Sequence, residues 1–492
     1  MTAATLKEPV PELSRQRRLL ILAICCSSLF IAGIDATIVN VALPSIQQDL
    51  HAPVSGLQWV VDAYTVVIAS LLILSGSVAD RFGRRRVFQI GLAAFTLGSL
   101  LCSLAPGLGW LVAFRMLQAV GGSMMNPVAV SIITNTFTDP RERARAIGIW
   151  GAVFGLSIAA GPVCGGLLVA TVGWRGIFWV NVPIGVAAIV LTALFVPESR
   201  AGRARRLDPV GEVLVVALLA SLTYAIIEAP RAGWLSPEIV ALFALAAAAL
   251  AGLVIYEPRR AEPLLDLRFF GSVPFTGATL IAVSAFASLG GFLFLNTLYL
   301  QEVRGLTALH AGLFTLPLAL MTLIFAPLSG RMIGHRGPRL PLVVAGAGMT
   351  AGALLLTGLR PDTPVGLLLA GYVILGIGFG MVNAPITTTA VAGMPLAQAG
   401  VAAGIASTSR QVGTSLGVAV TGSVLASGLH GPLAAGFTQA SQPAWWIITG
   451  CGATVLVLAL ATTGRWAIAT AARTAGRITA RDARAQVTAF PA

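Results

Sequence analysis

Two carboxylates and one guanidinium stand where a chain this apolar has least reason to place them. Asp35 lies in Ile34-Asp35-Ala36-Thr37-Ile38-Val39-Asn40, well inside an apolar stretch that begins at Leu19. Asp62 lies in Trp59-Val60-Val61-Asp62-Ala63-Tyr64, and Arg115 opens Arg115-Met116-Leu117-Gln118-Ala119-Val120-Gly121-Gly122. A charged side chain at the centre of a membrane helix costs about 2.5–3.5 kcal/mol on insertion scales, so such residues mark ion or substrate pathways. The chemistry open to this set is proton exchange. A buried arginine keeps its charge and needs an anionic or carbonyl partner. A guanidinium beside a carboxylate favours the charged form, so making or breaking that contact would release or capture a proton. Two readings of Arg115 stay open: a tuner of Asp35 or Asp62, or a purely structural ion pair. Asp62 sits about five residues inside one end of its stretch. It either works beside Asp35 or caps a helix turn.

Such residues need long apolar helices to hold them, and the composition supplies these. The chain has 492 residues, 56% hydrophobic and 10% charged. Soluble domains carry about 25% charged residues, so this is a membrane protein. About fourteen apolar stretches approach the roughly 20 residues a bilayer requires. They run approximately over 19–46, 57–79, 87–105, 109–136, 144–170, 176–196, 209–228, 236–256, 273–300, 311–333, 340–358, 364–392, 402–428 and 443–467.

The net charge of +13 is explained by where the basic residues fall. With the first stretch running outward, one side receives Lys7 with Arg15, Arg17 and Arg18, the Arg81 and Arg84–Arg86 group, and Arg141, Arg143 and Arg145. The same side takes Arg200, Arg203, Arg205 and Arg206, then Arg259, Arg260 and Arg268, then Arg331, Arg336 and Arg339, and the five arginines from Arg465 to Arg484. These are 26 of the 32 basic residues. By the positive-inside rule both termini are expected in the cytoplasm and the number of spans is even. The basic balance is thus topology, with no nucleic-acid role. The five cysteines all fall in apolar stretches and form no secreted disulfide framework. The first stretch is too long for a signal peptide and holds Asp35, so it is expected to remain as the first helix.

Hydropathy divides the chain into a cytoplasmic segment 1–18, a six-span block 19–196, a linker with two extra spans 197–268, a second six-span block 269–468 and a basic cytoplasmic tail 469–492. A faint repeat links the blocks: Gly76-Ser77-Val78-Ala79-Asp80-Arg81-Phe82-Gly83-Arg84 and Gly330-Arg331-Met332-Ile333-Gly334-His335-Arg336-Gly337-Pro338 each close a second span. Paired halves with a site at the midplane are a common plan of secondary transporters.

The Gly76–Arg86 loop, with Gly76, Asp80, Arg81, Gly83 and Arg84, is either a basic anchor or a latch in which Asp80 finds a cation in one conformation only. Gly151, Gly155, Gly161, Pro162, Gly165 and Gly166 combine small residues four apart with a proline. The pattern suits close helix packing and, with Gly-Pro-x-x-Gly-Gly, a built-in bend. Gly413-Thr414-Ser415-Leu416-Gly417 and Gly346-Ala347-Gly348 imitate nucleophile and dinucleotide motifs but lie inside apolar stretches without the strands those motifs need. The only lysine is Lys7, so no phosphate-binding lysine loop exists, and the four histidines lack metal-ligand spacing. No enzyme, no metal and no cofactor is expected.

These motifs together resemble the fourteen-helix drug:proton antiporters of the major facilitator superfamily, the EmrB/QacA type. The segment Asp35 to Pro44 is similar to that branch's first-helix signature, and Gly76 to Arg86 to the superfamily loop. Arg115 to Gly121 resembles the fourth-helix motif, with Ala119 where glycine is usual, and Gly151 to Gly166 resembles the helix-five motif of exporters. Gly173 to Pro183 and Ser409 to Gly413 add family-like segments, so the likeness covers residues 15–468.

The resemblance implies an all-α integral membrane fold, two six-helix bundles plus two inserted linker helices. It implies a proton-coupled antiporter of the cell membrane, driven by the proton gradient, that exports small amphipathic drugs or metabolites by alternating access. Asp35 is expected as principal proton carrier, Asp62 as a secondary or cation-sensing site, and Arg115 as their tuner. Asn40, Tyr64, Gln118, Asn296, Tyr299, Gln301, Asn383, Thr387 and Gln411 are expected to line the cavity. No acidic residue lies well inside a span of the second block, which points to neutral, zwitterionic or singly cationic substrates rather than dications. A monomer in the lipid bilayer is expected. The rival readings are a dedicated exporter of one endogenous metabolite or antibiotic, and an uncoupled facilitator on the same scaffold.

Overall fold

The computed structural model describes residues 14–200, 207–260, 263–392, 394 and 398–489, and among them every regular element is a helix. Lys7, Arg203, Arg205 and Arg206, and with them parts of the 1–18 and 197–268 segments, lie outside the described residues. The helices are α1 (Arg15–Leu50), α2 (Val54–Phe82), α3 (Arg84–Ser103), α4 (Leu108–Thr136), α5 (Pro140–Val172), α6 (Gly176–Trp179), α7 (Asn181–Phe195), α8 (Pro209–Ala232) and α9 (Pro237–Tyr256). They continue as α10 (Val273–Leu298), α11 (Ala308–Phe314), α12 (Leu316–Arg336), α13 (Arg339–Leu355), α14 (Val365–Val391), α15 (Ala399–Gly428), α16 (Leu433–Thr462) and α17 (Arg465–Ala489).

Local chemistry sets many of the ends. Ser14, Asp139, Ser236, Ser272 and Thr307 cap α1, α5, α9, α10 and α11 by accepting from first-turn amides, the arrangement that satisfies otherwise orphaned donors. Gly83, at φ 113°, makes the turn between α2 and α3 that a side chain would oppose.

Among the described residues, twelve helical segments are long and apolar enough to cross a membrane. The other two expected stretches are helices as well. α13 is only 17 residues long, and α15 carries Ser407, Thr408, Ser409, Arg410 and Gln411 in its middle. Two expected stretches are broken: 176–196 divides into α6 and α7, and 311–333 divides at Thr315 into α11 and α12. Large apolar side chains such as Leu194, Val213, Leu245, Val254 and Val457 face outward. A water-exposed surface would not tolerate so many, whereas lipid does.

Helices pack through small residues. A Cβ on Gly121 of α4 would meet the Phe95 amide nitrogen of α3, and one on Gly417 of α15 would meet the Ala287 carbonyl of α10. In lipid, this backbone approach replaces the hydrophobic drive as the source of helix association.

The apolar cores reveal how the molecule is joined. At the Arg15 end of α1, residues of α1 to α5 and α7 such as Ile24, Ile68, Phe95 and Met125 form a core of their own. At the Leu50 end, Ile38, Leu43, Leu57 and Phe178 share one core with Phe292, Tyr299, Met381 and Val418 of the second half. Amides seal that end: Gln301 Nε2 donates to the Val41 carbonyl at 2.9 Å, and Gln58 Nε2 to the Ala419 carbonyl at 2.9 Å. Of the two inserted helices, α8 sits beside the seam between α2 and α15, where Trp59 Nε1 donates to Glu228 of α8 at 3.1 Å, and α9 packs on α8.

If the α3–α4 approach is required, Gly121→Val lowers stability in detergent by about 1–3 kcal/mol, the usual cost of overpacking. Gly151→Ala, which meets nothing within 4 Å, leaves the melting temperature unchanged. Thermal unfolding followed by size-exclusion chromatography checks both.

Candidate functional site

The centre of the first seven helices holds a sealed polar network. Asp35 projects from the middle of α1 and is fully buried; Arg115 of α4 is 1% exposed. Arg115 Nη1 lies 2.5 Å from Asp35 Oδ2. Gln118 is one helical turn from Arg115 on the same face of α4. It accepts from Arg115 Nη1 at 2.7 Å and donates Nε2 to Asp35 Oδ1 at 2.8 Å. Asn181, the first residue of α7, donates to the same oxygen at 3.2 Å, and Ser99 of α3 accepts from both amides. Arg115 Nε donates to the Val60 carbonyl of α2 at 3.1 Å, and its guanidinium carbon lies 4.1 Å from the Tyr64 ring centroid. Both carboxylate oxygens are therefore occupied, and the cation is held by an anion, a carbonyl and an aromatic face.

A buried ion pair in low dielectric depends on hydrogen bonds to its remaining polar groups. Here both carboxylate oxygens and Arg115 Nε and Nη1 are bonded, while Asn181 Oδ1 and Tyr64 Oη at the edge of the network are buried without a hydrogen-bond partner among the described residues. A proton and the guanidinium compete for the same carboxylate. Putting a proton on Asp35 would leave Arg115 as an uncompensated buried cation, and only a rearrangement of α1 against α4 relieves that.

Asp62 is elsewhere. On α2, Val60 and Tyr64 face Arg115, and Asp62, about 200° round the helix from each, points to α15. Its Oδ1 accepts from Thr65 Oγ1 at 3.3 Å, and Ser415 of α15 faces it across the seam. The expected contact of Asp62 with Arg115 does not form. Asp62 instead lies one turn from Gln58, in the surface that joins the two halves.

The residues expected to line a cavity are scattered. Asn40 turns back onto its own helix, donating to the Ala36 carbonyl at 3.4 Å. Tyr64 and Gln118 belong to the Asp35 network, and Gln301 is a clasp at the Leu50 end. Asn296 is buried and accepts from Tyr372 Oη, while Tyr299 is buried and donates to the Arg360 carbonyl at 2.6 Å. These six do not present their polar groups to a common space. Asn383, Thr387 and Gln411 are partly exposed, and Arg410 joins them by donating to Thr387 at 3.3 Å and Ser407 at 2.8 Å. The polar surface that remains accessible is therefore on α14 and α15.

In the Gly76–Arg86 turn, Asp80 pairs with Arg84 at 2.8 Å, one turn along the chain, and Arg81 packs over Phe82. Gly83 faces the Glu198 carboxylate, which accepts from the Arg85 amide at 3.1 Å. Gly76 has open space around it save for Pro127. The glycines of α5 divide by partner. Gly161 and Gly165 lie against Thr37 and Ile38 of α1, Gly166 against Ala308 and Leu309, and Pro162 against Gly312, while Gly151 and Gly155 have little or nothing close. The helix runs unbroken through Pro162.

Sequence reasoning assigned no role to Ser99, Asn181 or Gln58. Asn181 falls in a segment with family likeness, a usable signal; Ser99 is one small residue among many on α3, and nothing marks it.

A family model described as Major Facilitator Superfamily matches residues 25–418. The chain is 39% identical over 405 residues to multidrug resistance protein Stp of Mycobacterium tuberculosis, covering 82% of this chain and 75% of that protein. It is 40% identical over 410 residues to the tetracenomycin C resistance and export protein of Streptomyces glaucescens, covering 83% and 76%. Among solved structures, a bacterial homologue of the human lysosomal transporter Spinster, in an inward-facing and occupied conformation, aligns over 94% of this chain and 98% of its own with a TM-score of 0.67 at 16% identity. That likeness establishes the fold.

Removing one member of the pair strands the other charge. Arg115→Gln or Asp35→Asn is expected to cost about 3–5 kcal/mol each. The double variant should recover a large part of it, giving a coupling well above 1 kcal/mol in a thermal-unfolding cycle.

Proposed function

This chain belongs to the Major Facilitator Superfamily, and on that premise we propose that it is a proton-coupled antiporter exporting small amphipathic drugs or metabolites from the cell. Within the superfamily we place it in the fourteen-helix drug:proton branch, counting α13 and α15 as spans beside the twelve apolar ones. Its working parts are two six-helix bundles, residues 19–196 and 269–468, with α8 and α9 inserted between them in sequence. The observation that carries the reading is the fully buried Asp35–Arg115 pair, whose carboxylate a proton and a guanidinium cannot both hold.

The distribution of arginines supports an orientation with both termini in the cytoplasm. In that orientation the shared core and the Gln58 and Gln301 clasps close the outer side. The accessible polar surface of α14 and α15, with Asn383, Thr387, Arg410 and Gln411, then serves to load substrate from the inner side. Asp35 is the principal proton carrier and Arg115 its competitor. Asp62 is a second site at the outer seam. The cycle is alternating access: proton binding at Asp35 releases Arg115, the α2–α15 seam opens outward, and substrate leaves. One proton moving down about 100 mV releases about 2.3 kcal/mol, enough to hold a neutral substrate at a gradient of roughly 50-fold. The second half offers amides, hydroxyls and one guanidinium rather than carboxylates, which favours neutral, zwitterionic or singly cationic cargo. The relatives' names, multidrug resistance in one and a single antibiotic in the other, leave breadth to experiment.

Proteoliposomes with an imposed pH gradient and a panel of fluorescent neutral and monovalent dyes test the coupling. Wild type should move several dyes only with the gradient, and Asp35→Asn should lose at least ten-fold of that flux, about 1.4 kcal/mol or more. Flux without a gradient would support a facilitator, and silence across the panel a single native metabolite. Oxidation of a Gln58→Cys/Gly422→Cys pair should lock the outer seam and stop transport, with a reductant restoring it; continued transport by the cross-linked protein would refute opening there.

A further inference from the structure

The last helix has a design that transport does not use. α16 ends at Thr462 and α17 begins at Arg465, so α17 starts at the depth of the lipid headgroups. From Arg465 to Ala489 the sequence carries five arginines and one aspartate, with no continuous apolar run long enough to span a bilayer.

Its two faces are distinct. Ala467, Thr470, Ala471 and Thr474 recur at i, i+3, i+4 and i+7 and are buried. They lie against the Leu267–Gly271 turn and the start of α10, where Thr470 Oγ1 accepts from the Val273 amide at 2.9 Å. Trp466, Arg473 and Arg477 recur at i, i+7 and i+11, a second stripe, and all three are exposed, Trp466 by 67%. Next to this helix, Phe270 is also exposed. An exposed tryptophan directly beyond a membrane helix, in line with two exposed guanidiniums, is the pattern of a helix seated in the interface: the ring takes the headgroup layer and the cations take lipid phosphates.

We infer that α17 is an interfacial helix whose Trp466–Arg473–Arg477 stripe binds anionic phospholipid of the adjoining leaflet. Its opposite face is bonded to the first turn of α10, so the lipid contact also holds the start of the second half. Charge complementarity selects the occupant: Arg473 and Arg477 have no acidic partner among the described residues, and an anionic headgroup supplies one. Each arginine near an anionic surface contributes about 1 kcal/mol, a shift of about five-fold in the docked-to-undocked ratio.

The test uses the full chain with a spin label on Ala469→Cys, an exposed position beside the stripe, reconstituted into phosphatidylcholine vesicles with or without phosphatidylglycerol. Accessibility to a lipid-borne and a water-borne relaxing agent is read in each. The expected result is a label reached from the lipid side only when anionic lipid is present, an effect lost at high salt and in Arg473→Gln/Arg477→Gln. Trp466→Ser should reduce depth with the charge dependence kept. Equal accessibility in both vesicle types, or an unchanged lipid dependence in the double glutamine variant, would overturn the inference. Neither readout depends on transport, so it stands or falls apart from the proposed antiport.

Discussion

The contact on which the rest of this molecule depends is the ion pair between Asp35 and Arg115. Two charges withdrawn from water cost several kcal/mol each, and their mutual attraction offsets that only with further hydrogen bonds around them. The payment here is geometric: α1, α2, α3, α4 and α7 each contribute an atom to the network through Asp35, Val60, Ser99, Arg115, Gln118 and Asn181. These helices cannot slide relative to one another without exposing an unsatisfied buried charge. The first half of the chain is therefore stiffest where its chemistry is.

The seam between halves is held by weaker forces. Gln58 and Gln301 reach across it to backbone carbonyls, neutral bonds worth about 0.5–1.5 kcal/mol each. Apolar packing at the Leu50 end adds a shared core, but this surface contains no ion pair among the described residues. The buried ion pair thus lies inside one half, and the polar contacts between the halves are neutral amide-to-carbonyl bonds. Asp62 lies in that weak seam, facing hydroxyls of Thr65 and Ser415. Asp35, by contrast, lies in the interior of the first half.

Much of this was legible in the chain. Hydropathy located every long apolar helix, because burial in lipid demands apolar residues at every turn of the lipid face, but it gave the basic segment 469–492 only as a tail where α17 runs. α13 and α15 were also found as stretches, although one is short and the other too polar to qualify by composition. That Arg115 needs a partner follows from its chemistry, and the sequence offers it both Asp35 and Asp62. The choice turns on a rotation: two residues along α2 reverse the direction a side chain faces. The cavity residues fared less well. Asn296 and Tyr299 look like lining in sequence, yet Tyr372 and the Arg360 carbonyl claim them. A polar residue in an apolar run has two fates, solvent-filled space or a partner on another helix, and only the neighbours distinguish these.

What the sequence determined by itself, then, was the kind of molecule: a helical membrane protein, its basic side, its turns at Gly83 and Gly337, and the rarity of Asp35. These follow from local rules, since hydropathy, capping and glycine conformation act within a few residues. What only the tertiary structure decided was who meets whom. That Ser99 and Asn181 complete the Asp35 shell, that Asp62 belongs to the seam, and that α17 offers one stripe to the protein and another outward depend on helix rotation and offset. Those are fixed by packing among residues far apart in the chain, and no short-range rule encodes them.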